Sequence, residues 1–146
     1  MTKRTMLLLA AVLSLASSVT RAEDDHAYTF GPVMIVSFIR TQPGKFEDYL
    51  RYLDGPYKKL MEESKKQGAI VDYAIWQARP RDPQDADLVL TVTYKNMAAF
   101  DGLQSRLDPI VKQTFGSLGK AQTAAVDREQ LRKEVGSVQV QQLILK

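Results

Sequence analysis

The sequence predicts an α+β domain of order β-α-β-β-α-(α)-β, one antiparallel four-stranded sheet with its helices on one face. Three observations predict it. Four apolar, β-branched runs alternate with two long stretches of helical periodicity. Residues 78–87 are too short a link for a crossover helix, so the strands they join pair antiparallel. The apolar stripe over residues 46–64 keeps one phase throughout, which makes it one helix rather than two.

Val33 to Ile39 (VMIVSFI) is apolar on nearly both faces and bounded by Gly31-Pro32 and Thr41-Gln-Pro-Gly44. It reads as a central strand. The first helix follows from about Pro43. Phe46, Tyr49, Leu50, Leu53, Tyr57, Leu60, Met61 and Ser64 fall on one stripe that passes straight through Gly55-Pro56. Pro56 removes a hydrogen bond to the Tyr52 carbonyl, which costs about 3 kcal/mol in an unbent helix. Gly55 lacks the Cβ that a following proline would crowd, and Asp54 can cap a restarted turn. The expectation is therefore one kinked helix, closed by Gly68.

Val71 to Gln77 and Leu88 to Tyr94 are the second and third strands. Asn96 caps a helix from Met97 to about Phe115. Residues 117–135 read as a further helical excursion, with Asp127-x-x-Gln130 as a cap and Gly136 as a stop. Val138 to Leu145 (VQVQQLIL) is the last strand. This order is the ferredoxin-like split βαβ arrangement.

Residues 1–22 stand apart. Lys3 and Arg4 precede the apolar run Met6 to Ala16, and Thr20 and Ala22 are small enough for a signal-peptidase site. The run is shorter than the roughly 20 residues a bilayer span needs. The expectation is a signal peptide cleaved after Ala22, a flexible lead-in over 23–31 and one domain over 32–146, located in the periplasm or secreted. Losing Lys3, Arg4 and Arg21 lowers the 20 basic residues to 17, equal to the 17 acidic ones. The basic charge thus belongs to the targeting segment, and neither nucleic acid nor a membrane is expected as a partner of the mature chain.

Composition excludes several chemistries. With no cysteine there is no disulfide, thiolate metal site or cysteine nucleophile. The one histidine, His26, lies just after the expected cleavage site, which leaves no histidine for a Ser-His-Asp triad, a zinc centre or a haem axial ligand within the domain. No glycine-rich phosphate loop occurs. No metal and no cofactor are expected. Glu47-Asp48 and Glu62-Glu63 interleave with lysines as a solvated helix face, and Asp82, Asp85 and Asp87 read as turn chemistry.

Two passages carry a resemblance. Arg40-Thr-Gln-Pro-Gly-Lys-Phe-Glu-Asp-Tyr49 resembles a strand-to-helix corner, and Tyr94-Lys-Asn-Met-Ala-Ala-Phe100 a second one, of the dimeric α/β-barrel superfamily that includes antibiotic-biosynthesis monooxygenase-like domains. The likeness covers most of residues 32–145. It implies a homodimer whose two sheets pair into a barrel, with a cavity between sheet and helices in each subunit. Activities within that group run from cofactor-independent oxygenation to ligand sensing, so the fold does not name a function.

The strands show which residues could line a site. Thr91 and Thr93 share a face of the third strand, Asp72 and Trp76 alternate with Tyr73 and Ile75, Gln139 and Gln141 alternate with Val138 and Val140, and Ser37 interrupts the first strand. One apolar face for the helices and one mixed face are expected, the mixed face meeting a cavity or a partner subunit. In that face Asp72 is the candidate base, buried and raised in pKa. Trp76 and Tyr73 form a hydrophobic floor, and Ser37, Thr91, Thr93, Gln139 and Gln141 line the ligand. The reading is an exported homodimer with a structural role or a binding site for a small hydrophobic or aromatic molecule. The alternative is a cofactor-independent monooxygenase or isomerase acting on a small aromatic or polyketide-like substrate.

Overall fold

The computed structural model describes residues 26–146. The expected signal peptide lies outside the described residues. The chain runs β1 (Tyr28–Thr41), α1 (Phe46–Tyr52), a π-helical turn (Leu53–Tyr57), α2 (Lys58–Lys66), β2 (Asp72–Gln77), β3 (Leu88–Tyr94), a 3₁₀ turn (Met97–Phe100), α3 (Leu103–Phe115), α4 (Leu118–Glu129) and β4 (Arg132–Leu145). The strand order is β2-β3-β1-β4 and every pairing is antiparallel. This is the α+β, ferredoxin-like arrangement that the element order predicts.

The kink at Gly55-Pro56 is where the stripe placed it. Gly55 leaves helical space (φ −91°, ψ −107°), and the Lys58 N–H reaches back five residues to the Leu53 carbonyl. The wider turn accommodates Pro56, which has no N–H to give the Tyr52 carbonyl, and a regular helix resumes at Lys58. Ser64, the one polar member of the stripe, is fully buried and donates its hydroxyl to the Leu60 carbonyl at 2.7 Å. Gly68 ends the helix with φ 71°.

Four boundaries differ from expectation. Residues 28–31 are not a lead-in but strand, because β4 extends far enough to pair Tyr28 with Leu145 and Phe30 with Leu143. The second helix does not start at Met97. Asn96 caps only a 3₁₀ turn, accepting from the Ala99 N–H at 3.1 Å, and left-handed Gly102 (φ 62°) separates that turn from α3. The helical excursion is capped by Ser117, which accepts from the Lys120 N–H, and it ends at Glu129. Asp127 and Gln130 belong to its last turn, and Gly136 lies inside β4. There, beside Gly136, the β1–β4 register shifts between Phe38 and Ile39. A glycine at a bulge lets the strand bend rather than stop.

Alternation assigns the faces. Val33, Ile35, Ser37 and Ile39 pair with Tyr94, Val92, Leu90 and Leu88 and look toward the helices. Ile39, Leu88 and Leu90 meet Tyr49 and Leu53 in the core, with Phe46, Leu50, Tyr57 and Leu131 packed around them. Among the described residues no helix covers the opposite side of the sheet. Phe38, Trp76, Val138 and Val140 stand on it at 37%, 59%, 43% and 44% exposure.

Candidate functional site

A cavity of about 180 Å³ lies between the sheet and the bent helix. Ile35, Ser37 and Ile39 of β1 and Leu90 and Val92 of β3 form its floor. Tyr49 of α1 and Tyr57 of the π-helical turn form its roof, and Arg128, Arg132 and Glu134 close one end. The sequence builds each wall locally. The floor comes from strand alternation. Tyr49 and Tyr57 sit two turns apart on one stripe, and the bend at Gly55 sets where the second ring points. Gln42 donates its backbone N–H to the Leu131 carbonyl at 2.9 Å, tying the α4–β4 corner to the end of β1.

The two arginines are unequal. Arg132 is 5% exposed and doubly paired, with Nη2 at 3.1 Å from Glu129 and Nη1 at 3.2 Å from Glu134. Arg128 reaches Glu129 only at 3.8 Å. Its side chain makes no hydrogen bond among the described residues, and its Nε, like that of Arg132, is buried without a partner. Burial raises the Tyr49 hydroxyl to about 12, a shift opposed first by Arg132 and then by Arg128. Burial also raises Tyr57, with smaller contributions from Tyr49 and Tyr73. Both hydroxyls therefore keep their protons at neutral pH and act as donors. Neither is hydrogen-bonded by a group among the described residues.

The residues expected to share a site are divided between the two sides of the sheet. Ser37 lines the cavity. Tyr73 lies on the same side but outside it, donating to Glu62 at 2.6 Å with its ring edge-on to Tyr57. Gln139 sits opposite Ile35 and contacts the Met97 sulfur, and Gln141 sits opposite Val33 and donates to the Gly31 carbonyl. Trp76, Thr91 and Thr93 face the open side, where the Trp76 indole N–H donates to the Thr91 hydroxyl at 3.4 Å. The expected mixed face is thus a correction. Pairing turns Gln139 and Gln141 toward the helices and puts Val138 and Val140 opposite Val36 and Met34 on the open side.

Asp72 is the second correction. Its side chain is 61% exposed at the start of β2 and ion-paired to Lys65 at 2.8 Å. The Lys65 hydrogen bond, followed by one from the backbone of Tyr73, lowers its pKa. A solvated, paired carboxylate is the reverse of a buried base. The acidic loop behaves as expected: Asp82 and Asp85 accept from backbone N–H groups within the turn, and Asp87 accepts from the Thr41 N–H at 3.0 Å.

The tyrosines were visible as stripe residues, with nothing to mark them as a roof. Arg128, Arg132 and Glu134 carried no signal, since they come from the stretch whose helix end and strand start were misplaced. On the open side, a groove of about 560 Å³ runs along Phe38, Val89, Val135 and the 79–86 loop, and another of about 400 Å³ along Met34, Thr93 and Val140.

No family model matches the sequence, and no curated protein matches it. The structure is similar to that of a protein from Shewanella oneidensis, at 12% identity and a TM-score of 0.50 over 80% of this chain and 98% of that one. Looser likenesses are to a dimeric ferredoxin-like protein from an uncultured marine organism and to HapK from Hahella chejuensis. The first has 8% identity and a TM-score of 0.49 over 81% of this chain and 90% of that one. The second has 16% identity and a TM-score of 0.44 over 75% and 91%. The Shewanella likeness shows a shared fold and nothing of function; the other two carry no argument.

Proposed function

We propose that this chain is an exported, homodimeric domain that binds a small hydrophobic or aromatic molecule in the cavity beneath the helix bend. The observation that carries the reading is the cavity itself: apolar walls with a few convergent polar groups, among them the Ser37, Tyr49 and Tyr57 hydroxyls, which have no hydrogen-bond partner among the described residues. That is the usual make-up of a small-molecule site. Export rests on the pattern of residues 1–22. The homodimer rests on the open face, where large apolar side chains on three strands form a contiguous uncovered patch of the kind that marks an interface, and an isologous dimer covers both copies at once.

The alternative, a cofactor-independent monooxygenase or isomerase, requires a base to form a substrate anion. Asp72 does not supply it, the tyrosines hold their protons, and Glu134 is engaged by Arg132. Binding without turnover is therefore the reading adopted. Native mass spectrometry on protein matured by an exporting host tests it. The expected result is a dimer starting at residue 23 that retains a small molecule released on denaturation. A monomer at micromolar concentration refutes the dimer, an uncut leader refutes export, and a covalently modified or turned-over ligand refutes simple binding.

A further inference from the structure

Beneath the helix bend, hydrogen-bond donors outnumber the free acceptors. Arg128 offers five side-chain N–H groups, none of which makes a hydrogen bond among the described residues; its one ion-pair contact, to Glu129, is at 3.8 Å. The Tyr49, Tyr57 and Ser37 hydroxyls likewise have no protein acceptor there. Among the described residues the only carboxylate on the cavity wall, Glu134, is taken by Arg132 at 3.2 Å. Of these donors the Arg128 Nε is fully buried without a partner, and a buried donor left without an acceptor is costly. Of the three charged side chains on the wall two are cationic. Arg128, Tyr49 and Tyr57 all line this one cavity.

We infer that this cavity takes a small carboxylic acid, its carboxylate held by Arg128 with the Tyr49 and Tyr57 hydroxyls and its apolar body laid against Ile35, Leu90 and Val92. The inference rests on the reading of the cavity as a binding site and adds the ligand's chemical class. A carboxylate supplies two acceptors in one plane, which matches the guanidinium fork bidentately and leaves lone pairs for a phenol. Size limits the body. An apolar cavity of about 150 Å³ holds benzene, and the 180 Å³ here admits a molecule slightly larger. A six-carbon ring or short branched chain bearing one carboxyl group fits; a polycyclic acid does not.

Benzoate and benzamide are nearly isosteric and differ in charge, and they form the test. The full protein, labelled at Ile, Leu and Val methyls, is titrated with each by NMR. Benzoate should shift the Ile35, Leu90 and Val92 methyls and bind about tenfold more tightly than benzamide, or better, the order of one charge-assisted hydrogen bond over a neutral one. Arg128→Gln should abolish that preference by weakening benzoate far more than benzamide. Because the Arg128 side chain makes no hydrogen bond among the described residues and only a long ion pair to Glu129, the variant should unfold within about 0.5 kcal/mol of the wild type, and Tyr57→Phe gives a volume-conserving second check with a smaller loss for benzoate. Equal affinity for the two probes, or a preference that survives Arg128→Gln, overturns the acid assignment and leaves the cavity a binding site. If neither probe shifts those methyls and xenon also fails to enter, both the assignment and the binding reading fall.

Discussion

Tyr49→Phe separates folding from function at one atom. Tyr49 is 1% exposed, and its ring belongs to the core with Ile39 and Leu53. Phenylalanine keeps that ring and removes only a hydroxyl with no protein partner among the described residues. A hydrogen-bonded hydroxyl would be worth about 0.5–1.5 kcal/mol, whereas an unpaired buried one costs free energy. At pH 7 the variant should therefore be as stable as the parent or more stable by up to about 1 kcal/mol, roughly 4 °C in Tm for a domain of this size. The pH profile sharpens the test. Burial raises the folded-state pKa from 10.0 to about 12. Above pH 10 the unfolded chain releases this proton and the folded chain does not. The stability is thus complete below pH 10 and is lost as pH rises through the window from 10 to 12, by up to about 1.4 kcal/mol per pH unit for one group. Urea midpoints at pH 7, 9, 10 and 11 should fall more steeply for wild type than for Tyr49→Phe, the curves separating only above pH 9.5 or so. A destabilisation beyond about 1 kcal/mol at pH 7 would mean that the hydroxyl is bonded. Parallel alkaline curves would mean that it is not buried in the folded state.

Three further outcomes are expected. Pro56→Ala restores a backbone donor inside the bend; it should leave the protein folded, within about 1 kcal/mol of the parent as helix bonding and chain entropy offset each other, and should change xenon uptake by moving the Tyr57 ring. Unchanged xenon uptake would show that the kink does not shape the cavity. Phe38→Asp on the open face should convert a dimer to a monomer by sedimentation equilibrium at micromolar concentration, with the far-UV spectrum preserved; an unaffected dimer would place the interface elsewhere. Asp72→Asn should leave the unfolding midpoint and the affinity for benzoate unchanged, since the Asp72–Lys65 pair is solvated; lost binding would return Asp72 to the site.

Helix 1 was legible because its information is local. A stripe at 3.6-residue spacing survives a proline, so the phase through Gly55-Pro56 revealed a bend inside one element. The second helix was less so. Met97 and Phe100 continue the apolar pattern of α3, and the pattern does not register that Gly102 adopts a left-handed turn between them. The face assignments failed for a different reason. Alternation says that Gln139 and Gln141 oppose Val138 and Val140, but not which pair looks at the helices; that follows from pairing Ile35 with Gln139 in the β1–β4 register. The same freedom placed Trp76, Thr91 and Thr93 on one side and Ser37 and Tyr73 on the other.

Residue order by itself determined the four strands, the bend in the first helix and the antiparallel pairing of β2 and β3, because each depends on neighbours a few positions apart. Tertiary structure alone decided the site. Arg128 lies about eighty positions from Tyr49, and it becomes a candidate ligand donor only because the α4–β4 corner is tied to the end of β1 and its nearest carboxylate, Glu129, is drawn to Arg132 instead. A donor's availability depends on every partner around it, and those partners meet only when the sheet and the helices close.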